Sequence, residues 1–426
     1  MPLKNNFCSS PWFHMKVGND GTFHYCRWGE NNKNNSGLKN NHPITWFQSS
    51  PEQKFLRQGM INGVNNLDCH GCYTMESYGK ISGRQRQLLK TGIQLKEFDK
   101  TLLSSPWLSA FAGSKEGETD QIPQDWQIDL GNFCNSACVF CSPESSSRLA
   151  NELFKLKVIN NMPQENWSKN PDQLEKLVNA LENASAKNGI RYLHFIGGET
   201  LLIPAFKEIL SKITKPTTLG FTTNLTVWDD EIVSLLEKHQ VHLGLSIETI
   251  SSLNDYVRWG SKIDLVLKNL ARWQQLAKLR DWVVSLRITP TALTIGELDS
   301  VYEFAWQNNL LVESCNFIHE PAFLRPSVLP LGLRLQARHK LLSWVNSKDS
   351  VSDQDIINTR DTNRTHQVLL QDAKSYINYL DTARDESNLL DKLADYLNKL
   401  ESNRNNCILD YLPHYADTLR SHGYSK

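Results

Sequence analysis

Residues 126–148 read WQIDLGNFCNSACVFCSPESSSR. Trp126, Ile128 and Leu130 alternate with Gln127, Asp129 and Gly131, the two-residue period of a strand. Cys134, Cys138 and Cys141 follow at once, spaced Cys-x3-Cys-x2-Cys. Three thiolates on one short loop can hold three irons of a [4Fe–4S] cube and leave the fourth iron open. A structural zinc wants four closed ligands, usually in Cys-x2-4-Cys pairs, which a lone triad does not supply. Three unconnected buried thiols are the plain alternative, and the spacing argues against it.

Outward from this stretch the pattern alternates strand and helix. Strands are expected at 126–131, 191–196, 217–223, 241–247, 283–289 and 311–318. Helical patterns such as LEKLVNALENA, FKEILSKI, EIVSLLEKH and LVLKNLARWQQLAKL separate them. Six strand–helix units make an α/β chain with a parallel sheet curled into a partial (β/α)6 TIM-like barrel. Ligands of such folds sit at the C-terminal ends of the strands, where the polar motifs of this chain lie. The second strand ends in Gly197-Gly198-Glu199, the third in Thr223-Asn224, and the fourth in Ser246-Ile247-Glu248. Paired glycines let backbone approach a ligand, and a glutamate can take up an ammonium group.

Toward the N-terminus, residues 1–80 hold Cys8, Cys26, Cys69 and Cys72. CSSPWFHMKVGNDGTFHYC reads as a hairpin turning at Asn19-Asp20-Gly21, which brings Cys8 and Cys26 to one end. Ser49-Ser50-Pro51-Glu52 starts a short helix, and Cys69-His70-Gly71-Cys72 closes the segment as a turn. Four thiolates so arranged suit zinc and iron–sulfur equally. Residues 81–125 read as a connector that starts with a basic helix, whose Arg84, Arg86 and Lys90 form a solvated face or, as the alternative, face a substrate. Beyond the barrel, 126–325, the segment 326–426 is expected to be helical.

The chain has 426 residues, 40% hydrophobic and 22% charged, which is globular. Lys plus Arg balances Asp plus Glu at 46 each, so net charge gives no nucleic-acid signal. No apolar run approaches 18 residues and no leader is indicated, so neither membrane insertion nor secretion is expected. Nine clustered cysteines point to metal ligation in a reducing compartment, the cytoplasm, rather than to a disulfide framework.

The triad, with Phe140 before its third cysteine, resembles the signature of the radical S-adenosylmethionine (SAM) enzymes. That resemblance implies a cluster on Cys134, Cys138 and Cys141 whose open iron takes the amine and carboxylate of SAM. One electron then splits the sulfonium, and the resulting 5′-deoxyadenosyl radical takes a hydrogen atom from a substrate carbon. By the same resemblance Gly197, Gly198 and Glu199 contact the SAM amino group, and Asn224 matches a Thr-Asn pair at the same place. Ser246 and Glu248 approach the methionine and ribose, and Arg258 pairs with the carboxylate. Thr249 stands where that pattern has glycine, and the spacing to Arg258 is short; Arg287 is the substitute, and a structural salt bridge is the plain reading of either arginine. The N-terminal segment resembles the Twitch module, a shortened SPASM domain that holds an auxiliary [4Fe–4S] cluster, here on Cys8, Cys26, Cys69 and Cys72.

SPASM and Twitch relatives mostly modify peptides or proteins, which makes a peptide or protein the expected substrate. A small-molecule dehydrogenase or epimerase acting on an aminocyclitol or sugar is the alternative, with nucleic-acid modification behind it. A reductant of flavodoxin or ferredoxin type is implied as partner. Cys315, on the last strand, can donate a hydrogen atom as in radical epimerases, although core packing is the plainer account of a free thiol. Cys407 has no evident partner in the sequence.

Overall fold

The computed structural model describes residues 6–27, 36–77, 82–90, 117–164, 166–187, 189–313, 318, 320–349 and 360–426. The chain divides into two compact units, one of 1–131, 164–220 and 231–240, the other of 132–163, 221–230 and 241–426. Both are mixed α/β, with mostly parallel strands.

In the first unit, β3 (Asp125–Asp129) lies parallel to β5 (Tyr192–Ile196), with Ile128 opposite Phe195. The first half of β6 (Thr218–Thr223) continues the parallel set beyond β5. Trp126, Ile128, Leu193, Phe195 and Leu219 are fully buried, so this face of the sheet is the core face. The helix Pro171–Lys187 buries Leu174, Leu177, Leu181 and Ala184, the apolar stripe of a 3.6-residue period.

On the far side of β3 the sheet gains the two strands of the N-terminal hairpin, a pairing that the sequence does not announce. β1 (His14–Val17) runs parallel to β3, with Lys16 opposite Gln127, and β2 (Phe23–His24) turns back against it. The expected hairpin is thus present, closed by Gly18 N–H to Thr22 O and by Gly21 at φ +81. Its first arm departs from expectation: Ser10–Phe13 is one helical turn, set by Pro11 within it.

The helix expected after Ser50 runs Pro51–Asn62, with the Ser50 hydroxyl accepting the Gln53 N–H at 3.2 Å and Gly63 closing it in the left-handed region. The Cys69–Cys72 segment is not a simple turn. Cys69 ends a 3-10 turn capped by Asn66, and Cys72 lies in the helix His70–Ser77. Arg84 corrects the solvated-face reading: it is buried, bonded to Glu76 and donating to Phe7 O at 2.8 Å.

In the second unit, β7 (Gln240–Ser246), β9 (Val283–Arg287) and β10 (Leu311–Glu313) are parallel neighbours. The end of the expected strand 311–318, Cys315 included, lies outside the described residues. A two-stranded ribbon pairs β4 (Ala137–Cys138) with β8 (Arg258–Trp259). The C-terminal segment is helical as expected, over Leu331–Asp349, Arg360–Thr382 and Leu390–Asn403.

Candidate active site

The cysteine loop starts where β3 ends. Gly131, at φ +107, sits so close to Asn166 that a Cβ would fall 2.3 Å from its side chain. Gly198 N–H donates to Gly131 O at 2.8 Å, and a Cβ on Gly197 would stand 2.8 Å from that same oxygen. The Gly197-Gly198 pair therefore spends its freedom on backbone packing within the first unit. Glu199 beside it is fully buried, and its Oε1 accepts the Leu201 N–H at 3.2 Å.

Within the second unit, the loop is fixed at nearly every step. Ser147 N–H donates to Asn132 O at 2.6 Å, and Cys134 N–H donates to Ser147 Oγ at 3.2 Å. Ser146 caps the following helix through Leu149 N–H, and its hydroxyl donates to Ser136 O at 2.6 Å. Cys141 N–H closes a turn onto Cys138 O at 3.1 Å. Gly260, at φ +101, leaves room for Arg148, which donates to Asn135 O at 2.5 Å. The C-terminal helix reaches the loop as well: Tyr396 donates to Val139 O at 3.0 Å and Arg404 to Ala137 O at 2.9 Å.

Donors gather on the thiols themselves. Ser136 N–H lies 3.4 Å from Cys134 Sγ, Asn224 Nδ2 lies 3.9 Å from it, and Arg258 Nη1 lies 4.0 Å from Cys138 Sγ. Burial pushes the Cys138 thiol up, opposed by the Arg258 charge. The Cys141 thiol is pushed up to about 12 by burial and then by Cys138 and Cys134. These groups hold their protons as free thiols and release them to a metal, which is how ligation and folding become coupled. Among the described residues no three His, Cys, Asp or Glu side chains meet at the spacing of a single metal ion. A cluster asks less of them, since each thiolate meets a different iron. Three thiols on one rigid loop, with N–H and guanidinium donors turned onto them, fit such a cluster.

Asn224 lies against the cysteine loop. Its amide binds Asn135 Oδ1 at 2.9 Å and Ser136 Oγ at 3.2 Å, and its oxygen accepts from Thr226, so it ties the cysteine loop down. Glu248 and Arg258 form a buried ion pair, with Nε and Nη2 at 3.2 and 2.8 Å from Oε1. Glu248 Oε2 accepts the Thr289 N–H at 2.7 Å. Burial lifts the Glu248 carboxyl to about 6 against the pull of Arg258, whose charge Glu248 in turn maintains against burial. The Arg258 guanidinium also lies 5.5 Å from the centre of the Phe140 ring. Ser246 is buried beside Arg287, its partner on β9, whose side chain crosses Gly244.

In the first unit Cys26, Cys69 and Cys72 all act on Cys8. Burial raises Cys8 well above the usual thiol range, and Cys26, Cys69 and Cys72 raise it further. Cys69 is pushed up to about 12 by burial, then by Cys26 and Cys72. Ser10 N–H donates to Cys8 Sγ at 3.4 Å, and the Tyr25 hydroxyl binds Asp68 beside Cys69. The hairpin and the Cys-x2-Cys segment thus bring their cysteines into one neighbourhood. Cys407 gains a partner that its sequence context conceals: its Sγ lies 3.2 Å from the Tyr424 hydroxyl.

Among the described residues no helix is long and apolar enough to cross a membrane. No curated protein matches the chain. Among solved structures it is similar to Streptococcus suis SuiB bound to S-adenosylmethionine, at 13% identity and TM-score 0.38, over 82% of this chain and 71% of that one. SuiB bound to the precursor peptide SuiA aligns at 15% identity and TM-score 0.37, over 74% and 66% of the two chains. The radical S-adenosylmethionine methyltransferase TsrM from Kitasatospora setae aligns at 16% identity and TM-score 0.32, over 47% and 38%. The family match is to the Radical SAM superfamily, over residues 128–305. Those residues, with the cysteine loop at their start, form a radical SAM domain, and the chain that carries it is an enzyme using SAM and an iron–sulfur cluster.

Proposed function

We propose that this enzyme abstracts a hydrogen atom from a peptide or protein substrate, with a second [4Fe–4S] cluster held on Cys8, Cys26, Cys69 and Cys72. When bound, the first cluster and SAM supply one-electron cleavage of the sulfonium to a 5′-deoxyadenosyl radical. The chain's own residues supply position and dryness. Cys134, Cys138 and Cys141 hold the cluster, and the Asn224, Ser136 and Arg258 donors stabilise thiolate charge on it. Glu248 keeps Arg258 charged and fixed. Gly197, Gly198, Glu199, Asn224, Ser246, Glu248 and Arg258 are assigned to SAM by resemblance of their motifs, with Arg287 the substitute for Arg258, and Cys315 to hydrogen donation on the same ground.

The observation that carries the auxiliary site is that Cys26, Cys69 and Cys72 all act on the buried Cys8, from two segments far apart in sequence. The peptide reading follows from the resemblance of that module to Twitch domains. A small-molecule dehydrogenase or epimerase is the second reading. Anaerobic reconstitution with iron counting tests the clusters: about eight irons per chain, falling to about four when Cys134, Cys138 and Cys141 become Ala. About four irons and one zinc in the unaltered protein would overturn the auxiliary cluster. Release of 5′-deoxyadenosine under reducing conditions tests the cleavage, and a mass change in a peptide encoded beside this chain tests the substrate.

A further inference from the structure

We propose that Glu401, which lies beyond the matched residues 128–305, is a positioning residue for the Arg258 guanidinium and, through it, for SAM. This deepens the reading above and rests on it in taking Arg258 to meet SAM beside the cluster.

Arg258 follows a short helix, Leu253–Val257. Five residues are too few to hold a helix by backbone bonding alone, so the place of this one is set by what its residues meet. Asn254 Oδ1 accepts the Glu248 N–H at 3.1 Å, and Asp255 Oδ1 accepts the Ile263 N–H at 2.6 Å. Val257 O accepts the Val139 N–H at 2.8 Å, and Arg258 donates to Glu248 Oε1. Tyr256 supplies the remaining anchor, its hydroxyl donating to Glu401 Oε1 at 2.6 Å. Of these five anchors it alone reaches beyond residues 128–305.

Packing alone does not ask for a carboxylate at that place. Leu393, Leu397 and Leu400 fill the buried positions before it on the helix Leu390–Asn403. The Glu401 side chain is fully buried, and a carboxylate taken out of water is tolerated only where donors meet it. They do: Tyr424 donates to Oε2 at 2.6 Å, the Ile408 N–H to Oε1 at 2.8 Å, and the Lys426 ammonium stands 3.5 Å from Oε2. A carboxylate fixed in this way sets the Tyr256 hydroxyl in direction as well as in distance, which an apolar contact would not.

The helix that carries Glu401 also grips the other strand of the ribbon. Tyr396 donates to Val139 O, and Arg404, at the end of the helix, donates to Ala137 O. The Arg404 guanidinium lies 5.5 Å from the centre of the Trp259 ring. One helix thus fixes both β4 and the approach to β8, whose pairing sets Arg258 opposite Cys138. Loss of the Tyr256 anchor leaves β4 held and frees the arginine side alone, so the guanidinium shifts relative to the cysteine loop. Glu401 acts on it through Tyr256, two positions earlier on the same segment.

The test uses the full chain with iron–sulfur reconstituted, as wild type and as Tyr256→Phe, Glu401→Leu, Glu401→Gln, Arg258→Gln and the double variant Glu401→Leu with Arg258→Gln. Each is checked for wild-type iron content and for a melting temperature above that of the assay. Tyr256→Phe removes a single hydroxyl and serves where Glu401→Leu does not fold. SAM is titrated into the reduced protein and its binding followed in the cluster's paramagnetic resonance spectrum, while 5′-deoxyadenosine release gives KM and kcat separately. Tyr256→Phe and Glu401→Leu are expected to weaken SAM binding about tenfold. Glu401→Gln, which still offers Tyr256 an acceptor oxygen, should stay within about twofold of wild type. The double variant should bind SAM no more weakly than Arg258→Gln alone, because both changes act on one guanidinium. Losses that multiply in the double variant overturn the proposal, as does a lowered melting temperature in Tyr256→Phe with SAM binding unchanged. Unchanged SAM binding in Arg258→Gln removes that arginine from the SAM site, and the positioning role of Glu401 with it.

Discussion

Arg258 sets two of its nitrogens on one carboxylate oxygen of Glu248, at 3.2 and 2.8 Å, and turns the third toward Cys138 Sγ at 4.0 Å. A guanidinium so placed links the cysteine loop to the end of β7 while nearly buried. Removing one partner of a buried pair leaves an uncompensated charge, which costs about 3–5 kcal/mol. Glu248→Ala should therefore lower stability by that amount in thermal or denaturant melts. Glu248→Gln, which keeps an oxygen acceptor, should cost about half as much. Both variants should release iron faster than wild type on exposure to a chelator, because the donor facing Cys138 loses its support.

A second buried pair does the same for the other side of the loop. Arg404 binds Glu152 at 2.9 and 2.5 Å, both side chains nearly inaccessible at 1% and 6%, and donates to Ala137 O. Arg404→Met and Glu152→Gln should each cost about 3–5 kcal/mol, and the double variant clearly less than their sum. A double-mutant cycle on chemical denaturation measures this coupling. Strict additivity would show that the two side chains act independently.

The cysteine loop and the strand before it were legible because they are local: a two-residue alternation and a triad within eight positions. Most strands lie within two residues of where alternation puts them, as at Tyr192–Ile196 and Val283–Arg287. What was not legible depends on partners distant in sequence. Nothing in HMKV says that it will lie beside Asp125–Asp129, since a strand's neighbour is set by the assembled sheet. Nothing local to Asn224 says that its amide will bind Asn135 and Ser136, some 90 positions away. Arg84 looks like a solvated cation until its partner Glu76 and the carbonyl of Phe7 are seen.

Arg57 is the extreme case of that kind. It is fully buried and donates to the carbonyls of Pro11, Phe47, Gln48 and Gly117, at 2.5 to 3.1 Å, with its guanidinium 4.9 Å from the centre of the Phe47 ring. Burial lowers its pKa to about 9, still charged at neutral pH. Arg57→Met orphans several buried carbonyls, and about 3 kcal/mol of stability should be lost. Arg57→Lys, a point donor in place of a planar fork, should recover only part of it. Melts of the two variants check the ranking, and a lysine as stable as the arginine would refute the fork argument.

The first unit should also weaken in mild acid through His239. Its Nδ1 accepts the Thr217 N–H at 3.2 Å, and burial, with Lys238 adding to it, lowers its pKa from 6.5 to about 4. The unfolded chain therefore binds a proton below pH 6.5 that the folded chain refuses until about pH 4. Stability is full above 6.5 and is lost as pH falls through that window, by about 2 kcal/mol. His24, also lowered to about 4, acts in the same direction. Asp129 opposes both: burial raises it from 3.8 to about 6, so the folded state binds its proton first and gains as pH falls. The net slope mixes these groups, and the difference between wild type and His239→Gln isolates one of them. Glutamine can accept the Thr217 N–H and does not titrate, so the variant's stability relative to wild type should improve steadily from pH 6.5 to 4.5. A constant difference across that range would show that His239 titrates alike in both states.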